Sequence, residues 1–241
     1  MPELTDTDQR AITRRSKKLT KDQAKRALYI DFEGLKKEKS KEVTPTILGT
    51  LDITSARKRK FKAFILHENL HLLTRPRLYP EHGVSTIDRE VMVLNEAIAL
   101  LTQECKINHR VICAYTQHEI KEIRKWCSKD VYEAFEPYFY DAKQVIDLWV
   151  NKYHPNNRLY RGERTLDAYC HLFNVPNVPP PKPNVTDAIR KITAACKRYK
   201  KWRAVPNTTK ASARQLFYYN KNDCESLYRL TVRAVNCLQQ G

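Results

Sequence analysis

The sequence predicts an α/β fold in which a mixed five-stranded sheet is flanked by helices. Three observations predict it. Three strand-like runs follow one another early in the chain, two shorter extended runs each lead into a helical pattern, and helical patterns dominate the remainder. This order of βββ-α-β-α, followed by further helices, favours one mixed sheet covered on its faces by helices, in a single domain.

The first three predicted strands are short and consecutive. They span Leu28–Phe32, Thr46–Ile53 and Phe61–Leu66, and polar or proline-containing segments bound each of them. Consecutive short strands of this kind favour an antiparallel meander.

The middle of the chain alternates helix and strand. A helical period over Ser85–Glu104 has acidic residues in its first turn. A fourth strand, Val111–Tyr115, leads into a helix over Glu119–Trp126, and a fifth extended piece near Tyr138–Ala142 precedes a helix through Trp149.

The last part of the chain is predicted to be helical. The predicted helices are Thr165–Phe173, Thr186–Trp202 and Ala211–Leu238. The proline-rich segment Asn174–Asn184 cannot form a regular helix, because proline removes a backbone donor and fixes φ, so we predict a surface loop.

The charge indicates a polyanionic partner. Lys and Arg number 44 against 27 Asp and Glu, a formal net charge of +17. Nucleic acid, DNA or RNA, is the partner class that such a surplus favours. We predict a basic N-terminal arm over residues 1–25, followed by one domain over residues 26–241.

Other bulk features indicate an intracellular protein. No apolar run reaches the ~18 residues of a membrane span, and the polar N-terminus shows no secretory or transit signal. Seven cysteines without a CxxC pair indicate reduced thiols rather than a disulfide framework. We therefore expect a cytoplasmic or nucleoid-associated protein without membrane contact.

Two carboxylates follow the first buried strand, in the segment ALYIDFEG. Side chains alternate along a strand, so Asp31 and Glu33 should point to one face and Phe32 to the other. Like charges so close repel each other, and a hard divalent cation such as Mg²⁺ or Mn²⁺ relieves that repulsion.

Two later segments supply matching groups. Glu119 follows the strand Val111–Tyr115 at the start of a helix, where a carboxylate is also stable without a metal. Tyr219 and Asp223 are four residues apart on the last helix and therefore share a face; a plain surface pair is the alternative.

In order and spacing, these motifs resemble the DEDD 3′–5′ exonucleases of the ribonuclease H-like superfamily. The closest likeness is to predicted RecB-associated nucleases, whose second motif is Tyr-x-x-x-Glu, as in Tyr115–Glu119. The resemblance covers about residues 27–235 and implies a ribonuclease H-like fold. A departure is Glu119, where most exonucleases of this type have aspartate.

The resemblance implies phosphodiester hydrolysis with two Mg²⁺ or Mn²⁺ ions. The implied metal ligands are Asp31, Glu33, Glu119 and Asp223. Tyr219 would orient the attacking water, and Asp31 would bridge both ions. The family has a further aspartate at a strand end, for which Asp141 is our choice and Asp147 the rival.

The basic residues around the helix Thr186–Trp202 are candidates for gripping a nucleic-acid backbone, with Trp202 available for base stacking. The candidate binding residues are Arg190, Lys191, Lys197, Arg198, Lys200, Lys201, Trp202 and Arg203.

The sequence thus predicts a metal-dependent nuclease, with 3′–5′ exonuclease activity preferred. The alternatives are a structure-specific endonuclease and a nucleic-acid-binding protein with a vestigial nuclease site. A remote alternative comes from His67–His71, which matches the HExxH pattern of zinc hydrolases. That chemistry requires a helix, whereas the segment reads as the end of the third strand and a polar turn.

Overall fold

A computed structural model describes residues 18–36, 43–55, 58–74, 87–157, 159, 163–176 and 184–240. Within these residues six strands form one sheet. The strands are β1 (Leu28–Lys36), β2 (Val43–Ser55), β3 (Lys58–Ile65), β4 (Asp88–Val91), β5 (Ile112–Ala114) and β6 (Phe139–Asp141). Their order across the sheet is β4-β3-β2-β1-β5-β6.

The sheet is mixed, as the sequence predicts. The predicted meander is confirmed, because β1, β2 and β3 pair antiparallel in succession. Strand β5 pairs parallel to β1, and β6 parallel to β5. Strand β1 is therefore central, with β2 on one side and β5 on the other. The carboxyl ends of β1, β5 and β6 lie at the same edge of the sheet.

The predicted strand count of five is wrong, because Asp88–Val91 forms a sixth strand, β4, parallel to β3. The predicted helix over Ser85–Glu104 instead begins at Leu94. Asp88 and Glu90 resemble the acidic first turn of a helix, but their carboxylates pair across the sheet with Lys60 and Lys62. Pairing with β3 thus overrides the local helical signal.

Eight α-helices lie in the described parts of the chain. They are α1 (Lys21–Arg26), α2 (Leu94–Ile107), α3 (His118–Trp126), α4 (Lys129–Phe135), α5 (Ala142–Tyr153), α6 (Leu166–Leu172), α7 (Val185–Arg198) and α8 (Asn207–Gln240). Short 3₁₀ helices are Glu68–Thr74, Glu136–Tyr138, Pro155–Asn157 and Trp202–Ala204. Helix α4 has no counterpart among the elements predicted from the sequence.

Helices cover both faces of the sheet. Side chains of β1 such as Tyr29 enter one core with α1, α5, α6, α7 and α8. Leu28 and Ile30 enter the opposite core with α2, α3 and α4. The long helix α8 packs against α5, α6 and α7 and against β1 and β2, so it crosses the centre of the sheet.

Helix α7 ends earlier than predicted. The prediction was Thr186–Trp202, but Tyr199 is extended and ends the helix at Arg198. At the other end, the Asn184 side chain accepts a hydrogen bond from the Asp187 amide at 3.2 Å and caps the helix. In the proline-rich segment before it, residues 177–183 lie outside the described residues.

The end of the predicted basic arm packs against the domain. Helix α1 begins with a capping box between Thr20 and Gln23. Leu19 and Ala24 are buried, and the Lys21 amide donates to Gln239 Oε1 of α8 at 3.3 Å. Residues 1–17 of the arm lie outside the described residues.

Candidate metal centre and nucleic-acid interface

The two carboxylates of β1 lie on the same face of the sheet, as alternation predicts. Asp31 is opposite Gly49 of β2, Glu33 is opposite Ile47, and a register shift follows immediately after Glu33. Phe32 packs into the other core. The strand therefore directs both acids towards α8.

Helix α8 adds the third carboxylate. Oxygen atoms of Asp31, Glu33 and Asp223 all lie within 4.8 Å of one another. Glu33 and Asp223 are 7% and 9% exposed, whereas Asp31 is half-buried, so the cluster is largely buried and most accessible at Asp31. Acids from the first strand and the last helix thus converge, as the sequence predicts.

The cluster is electrostatically costly as it stands. Burial, followed by the charges of Glu33, Asp223 and Glu119, raises the pKa of Asp31 well above its ordinary value. A hydrogen bond from Asn220 opposes this rise. A divalent cation would remove the repulsion and favour the ionised form of all three acids.

Tyr219 belongs to the same group, as its spacing from Asp223 predicts. Burial, and then the charges of Asp223, Glu33 and Asp31, raise the pKa of the Tyr219 hydroxyl. That hydroxyl also forms a hydrogen bond with the Asp223 carboxylate. The phenol is therefore neutral and is positioned beside the acids.

Glu119 lies at the edge of the cluster rather than within it. Its charge raises the pKa of Asp31, but its oxygens are not among those within 4.8 Å. The Glu119 Oε2 atom accepts hydrogen bonds from the Thr116 amide at 3.3 Å and hydroxyl at 3.2 Å. Burial nevertheless raises the pKa of Glu119 to about 7. The structure therefore brings together three of the four predicted ligands and leaves the fourth nearby.

The two candidates for the additional aspartate have different surroundings. The Asp141 carboxylate caps α5 by accepting from the Lys143 amide at 3.0 Å, and its charge acts on Glu119. Burial raises the pKa of Asp141 to about 6. Asp147 instead bonds Lys143, Arg164 and the Tyr169 hydroxyl. Asp141 therefore lies near Glu119 at the edge of the candidate site, and Asp147 belongs to a separate ionic network.

A cavity of about 540 Å³ lies beside β6. Asp141 and Gln117 line it, together with apolar groups of α5 and of the C-terminal end of α8. The three clustered carboxylates are not part of its lining. The cavity thus adjoins Asp141 but not the three clustered acids.

Asn220 is not among the predicted site residues, although it lies between Tyr219 and Asp223 in the sequence. It is fully buried. Its Nδ2 atom donates to Asp31 Oδ2 at 2.7 Å and to the Asp31 carbonyl oxygen at 3.2 Å. An amide on the apolar face of a helix, three residues before a candidate ligand, is the signal that could have identified it.

The candidate nucleic-acid-binding residues form an exposed basic surface along α7 and just beyond it. The exposed members are Arg190, Lys191, Lys197, Arg198, Lys200, Lys201 and Arg203. Trp202 is half-buried and packs against the core. Helix α7 contacts β1 and α8, the two elements that carry the clustered acids.

The HExxH segment does not form the helix that zinc hydrolases require. Residues Glu68–Thr74 form a 3₁₀ helix, in which positions four apart lie about 120° apart rather than on one face. The His67 Nδ1 atom accepts from the Asn69 amide at 3.2 Å, and His71 Nδ1 contacts the Glu68 carbonyl at 3.1 Å. These contacts are those of a turn, as the sequence analysis preferred.

Comparison of the chain with protein-family models, with curated proteins and with solved structures gave no match in any of the three. In the parts of the chain that the structure describes, no helix combines the length and apolar character needed to cross a membrane.

Proposed function

We propose that this protein is a Mg²⁺- or Mn²⁺-dependent nuclease that hydrolyses phosphodiester bonds in DNA or RNA by a two-metal-ion mechanism, acting as a 3′–5′ exonuclease. The observation that carries the proposal is the convergence of Asp31, Glu33 and Asp223, whose oxygens lie within 4.8 Å of one another in a largely buried site.

The donor set fits hard divalent cations. The ligand atoms that lie within 4.8 Å of one another are all carboxylate oxygens, which matches the oxygen preference of Mg²⁺ and Mn²⁺. Oxygen atoms of Asp31 lie within 4.8 Å of those of both Glu33 and Asp223, and Asp31 would be the ligand shared by the two ions. Glu119 lies at the edge of the cluster, with Asp141 near it, and these two residues would contribute to a second metal position. To bind an ion there, Glu119 would have to release its hydrogen bonds with Thr116.

When bound, such ions lower the pKa of an attacking water and stabilise the leaving oxygen of a phosphodiester. The chain itself supplies orientation. The neutral Tyr219 hydroxyl lies beside Asp223, where it can hydrogen-bond a water next to the carboxylates. Burial of Glu33 and Asp223 limits the water that competes for the site.

The basic surface on α7 supports a polyanionic substrate. It neighbours the elements that carry the acids, and the excess of basic residues over acidic ones offsets the negative cluster. Phosphate contacts by Lys and Arg provide affinity without sequence preference.

The test is incubation of the full chain with end-labelled single-stranded, double-stranded and branched DNA and RNA, in Mg²⁺, Mn²⁺ or EDTA. The proposal predicts a one-nucleotide ladder from the 3′ end that requires the metal. Discrete internal products would indicate the structure-specific endonuclease instead. Metal-independent binding of every substrate without cleavage would contradict the nuclease and favour the vestigial alternative.

A further inference from the structure

Asn220 contacts the candidate metal centre through a single carboxylate. Its Nδ2 atom donates to both the carboxylate and the main-chain carbonyl of Asp31, at 2.7 Å and 3.2 Å. The Asn220 amide group therefore fixes the Asp31 side chain relative to the Asp31 main chain. A carboxylate has about four lone-pair positions, so this contact leaves room for a cation on Asp31.

Gly49 creates the space for this amide. Gly49 is the cross-strand partner of Asp31 in β2. A Cβ atom at Gly49 would lie 1.8 Å from Asn220 Oδ1 and 2.7 Å from its Cγ. Glycine in the interior of a buried strand costs stability, and a close approach by another group is a common reason for it. Here the approaching group is the Asn220 amide.

The amide is not explained by stability. Asn220 is fully buried, and its Oδ1 atom has no hydrogen-bond partner among the described residues. A buried polar atom without a partner loses its hydration without compensation, and an apolar residue of similar volume avoids that cost. The arrangement of Asn220 and Gly49 therefore lowers stability. The contact with Asp31 gives a reason for the fold to keep it.

We propose that Asn220 is a positioning residue that, in the space left by Gly49, holds the Asp31 carboxylate in the orientation that binds a divalent cation. The inference rests on the proposed function, because it assumes that Asp31 is a metal ligand. Outer hydrogen-bond partners of metal ligands typically change metal affinity by about 10- to 100-fold when they are removed.

The test is isothermal titration of the full chain with Mn²⁺, together with cleavage rates as a function of Mn²⁺ concentration. For Asn220→Leu we expect the dissociation constant for Mn²⁺ to rise by about 10- to 100-fold. We also expect the cleavage rate to recover largely at saturating Mn²⁺. Thr231→Val removes another buried polar group of α8, whose hydroxyl bonds the Leu227 carbonyl, and should leave Mn²⁺ affinity unchanged.

A second pair of variants keeps the test independent of the folding of Asn220→Leu. Gly49→Ala should weaken Mn²⁺ binding by displacing the amide, although Asn220 is intact. In Asn220→Ala the amide is already absent, so adding Gly49→Ala should weaken Mn²⁺ binding little further.

The possible failures are distinguishable. If the wild-type protein binds and cleaves but folded Asn220→Leu and Gly49→Ala bind Mn²⁺ with wild-type affinity, the positioning role is wrong and the nuclease stands. If the wild-type protein neither binds Mn²⁺ nor cleaves nucleic acid, both proposals are wrong.

Discussion

Asp31 is the residue at which the opposing demands of stability and function meet. Burial and the like charges of its neighbours together raise the pKa of Asp31. Groups that a fold keeps in such surroundings usually have a functional reason. The cost should appear as instability when no cation is present.

Asp31→Asn should therefore stabilise the metal-free protein. Removing one of the mutually repelling acids should raise the free energy of unfolding by about 0.5–2 kcal/mol, the size of gain that single stabilising substitutions commonly give. Urea unfolding in EDTA measures this. Added Mg²⁺ should stabilise the wild type and not the variant, since ligand binding to the native state shifts unfolding. A less stable variant in EDTA would contradict this description of the cluster.

The raised pKa of Glu119 predicts a specific pH dependence of the free energy of unfolding. Its pKa is raised from 4.5 to about 7 in the folded state, so it stabilises the fold fully below pH 4.5 and loses that contribution as the pH rises through 7. The loss should total about 3 kcal/mol, from 1.36 kcal/mol per pKa unit. The free energy of unfolding of Glu119→Gln minus that of the wild type should therefore increase by this amount between pH 4 and pH 8 in EDTA. A difference that does not change with pH would contradict the raised pKa.

Among the secondary structure elements, β1 owes its position partly to a buried arginine just before β5. The Arg110 guanidinium bonds the Arg26 carbonyl oxygen, Asp52 of β2 and Glu104 of α2. These contacts tie the start of the central strand to its neighbours. They lie at the opposite end of β1 from the clustered acids.

Arg110→Met should destabilise the protein by about 3 kcal/mol, because breaking a buried ionic network leaves acids without their partner. The partial exposure of Asp52 and Glu104 keeps the loss at the low end of the range. Lys60→Met is the matched control, since Lys60 pairs with Asp88 at the exposed surface and should change stability by less than about 1 kcal/mol. Equal losses in the two variants, measured by urea unfolding, would show that the network does not hold β1.

The basic surface on α7 predicts a salt-dependent interaction. Replacing Lys197, Lys200 and Lys201 with Gln should reduce the steepness of log K against log salt for nucleic-acid binding by about 2–3, near one unit per lost phosphate contact. The control replaces Lys121, Lys125 and Lys129, which are exposed on helices that cover the other face of the sheet.

Fluorescence anisotropy with a labelled oligonucleotide at several salt concentrations measures both slopes. Identical slopes for the two triple variants would mean that the α7 surface does not contact the phosphates.

Much of this arrangement could be predicted from the sequence because local patterns carry it. The alternation in β1 placed Asp31 and Glu33 on one face, and helical spacing placed Tyr219 beside Asp223. Strand β4 could not be predicted, because its pairing with β3 is a long-range contact that outweighs the helical signal around Asp88. The role of Asn220 could not be predicted either, because it depends on Gly49, a residue far away in the sequence.

Taken as a complete fold, the molecule places β1 at the centre of a sheet and passes α8 across it. The acids of both elements therefore meet at one point, and α7, which carries the exposed basic surface, contacts both elements. The proposed hydrolysis of a phosphate backbone would use the acids as the metal site and the basic residues as the binding surface.

The most direct test compares cleavage of an end-labelled oligonucleotide by the wild type, Asp223→Asn and Glu225→Gln in Mn²⁺ and in EDTA. The control Glu225→Gln removes the same charge two residues away, at a side chain that pairs with Lys221 and Arg229. We predict metal-dependent cleavage by the wild type and by Glu225→Gln, and none by folded Asp223→Asn. Undiminished cleavage by Asp223→Asn would show that the converging acids are not the catalytic centre.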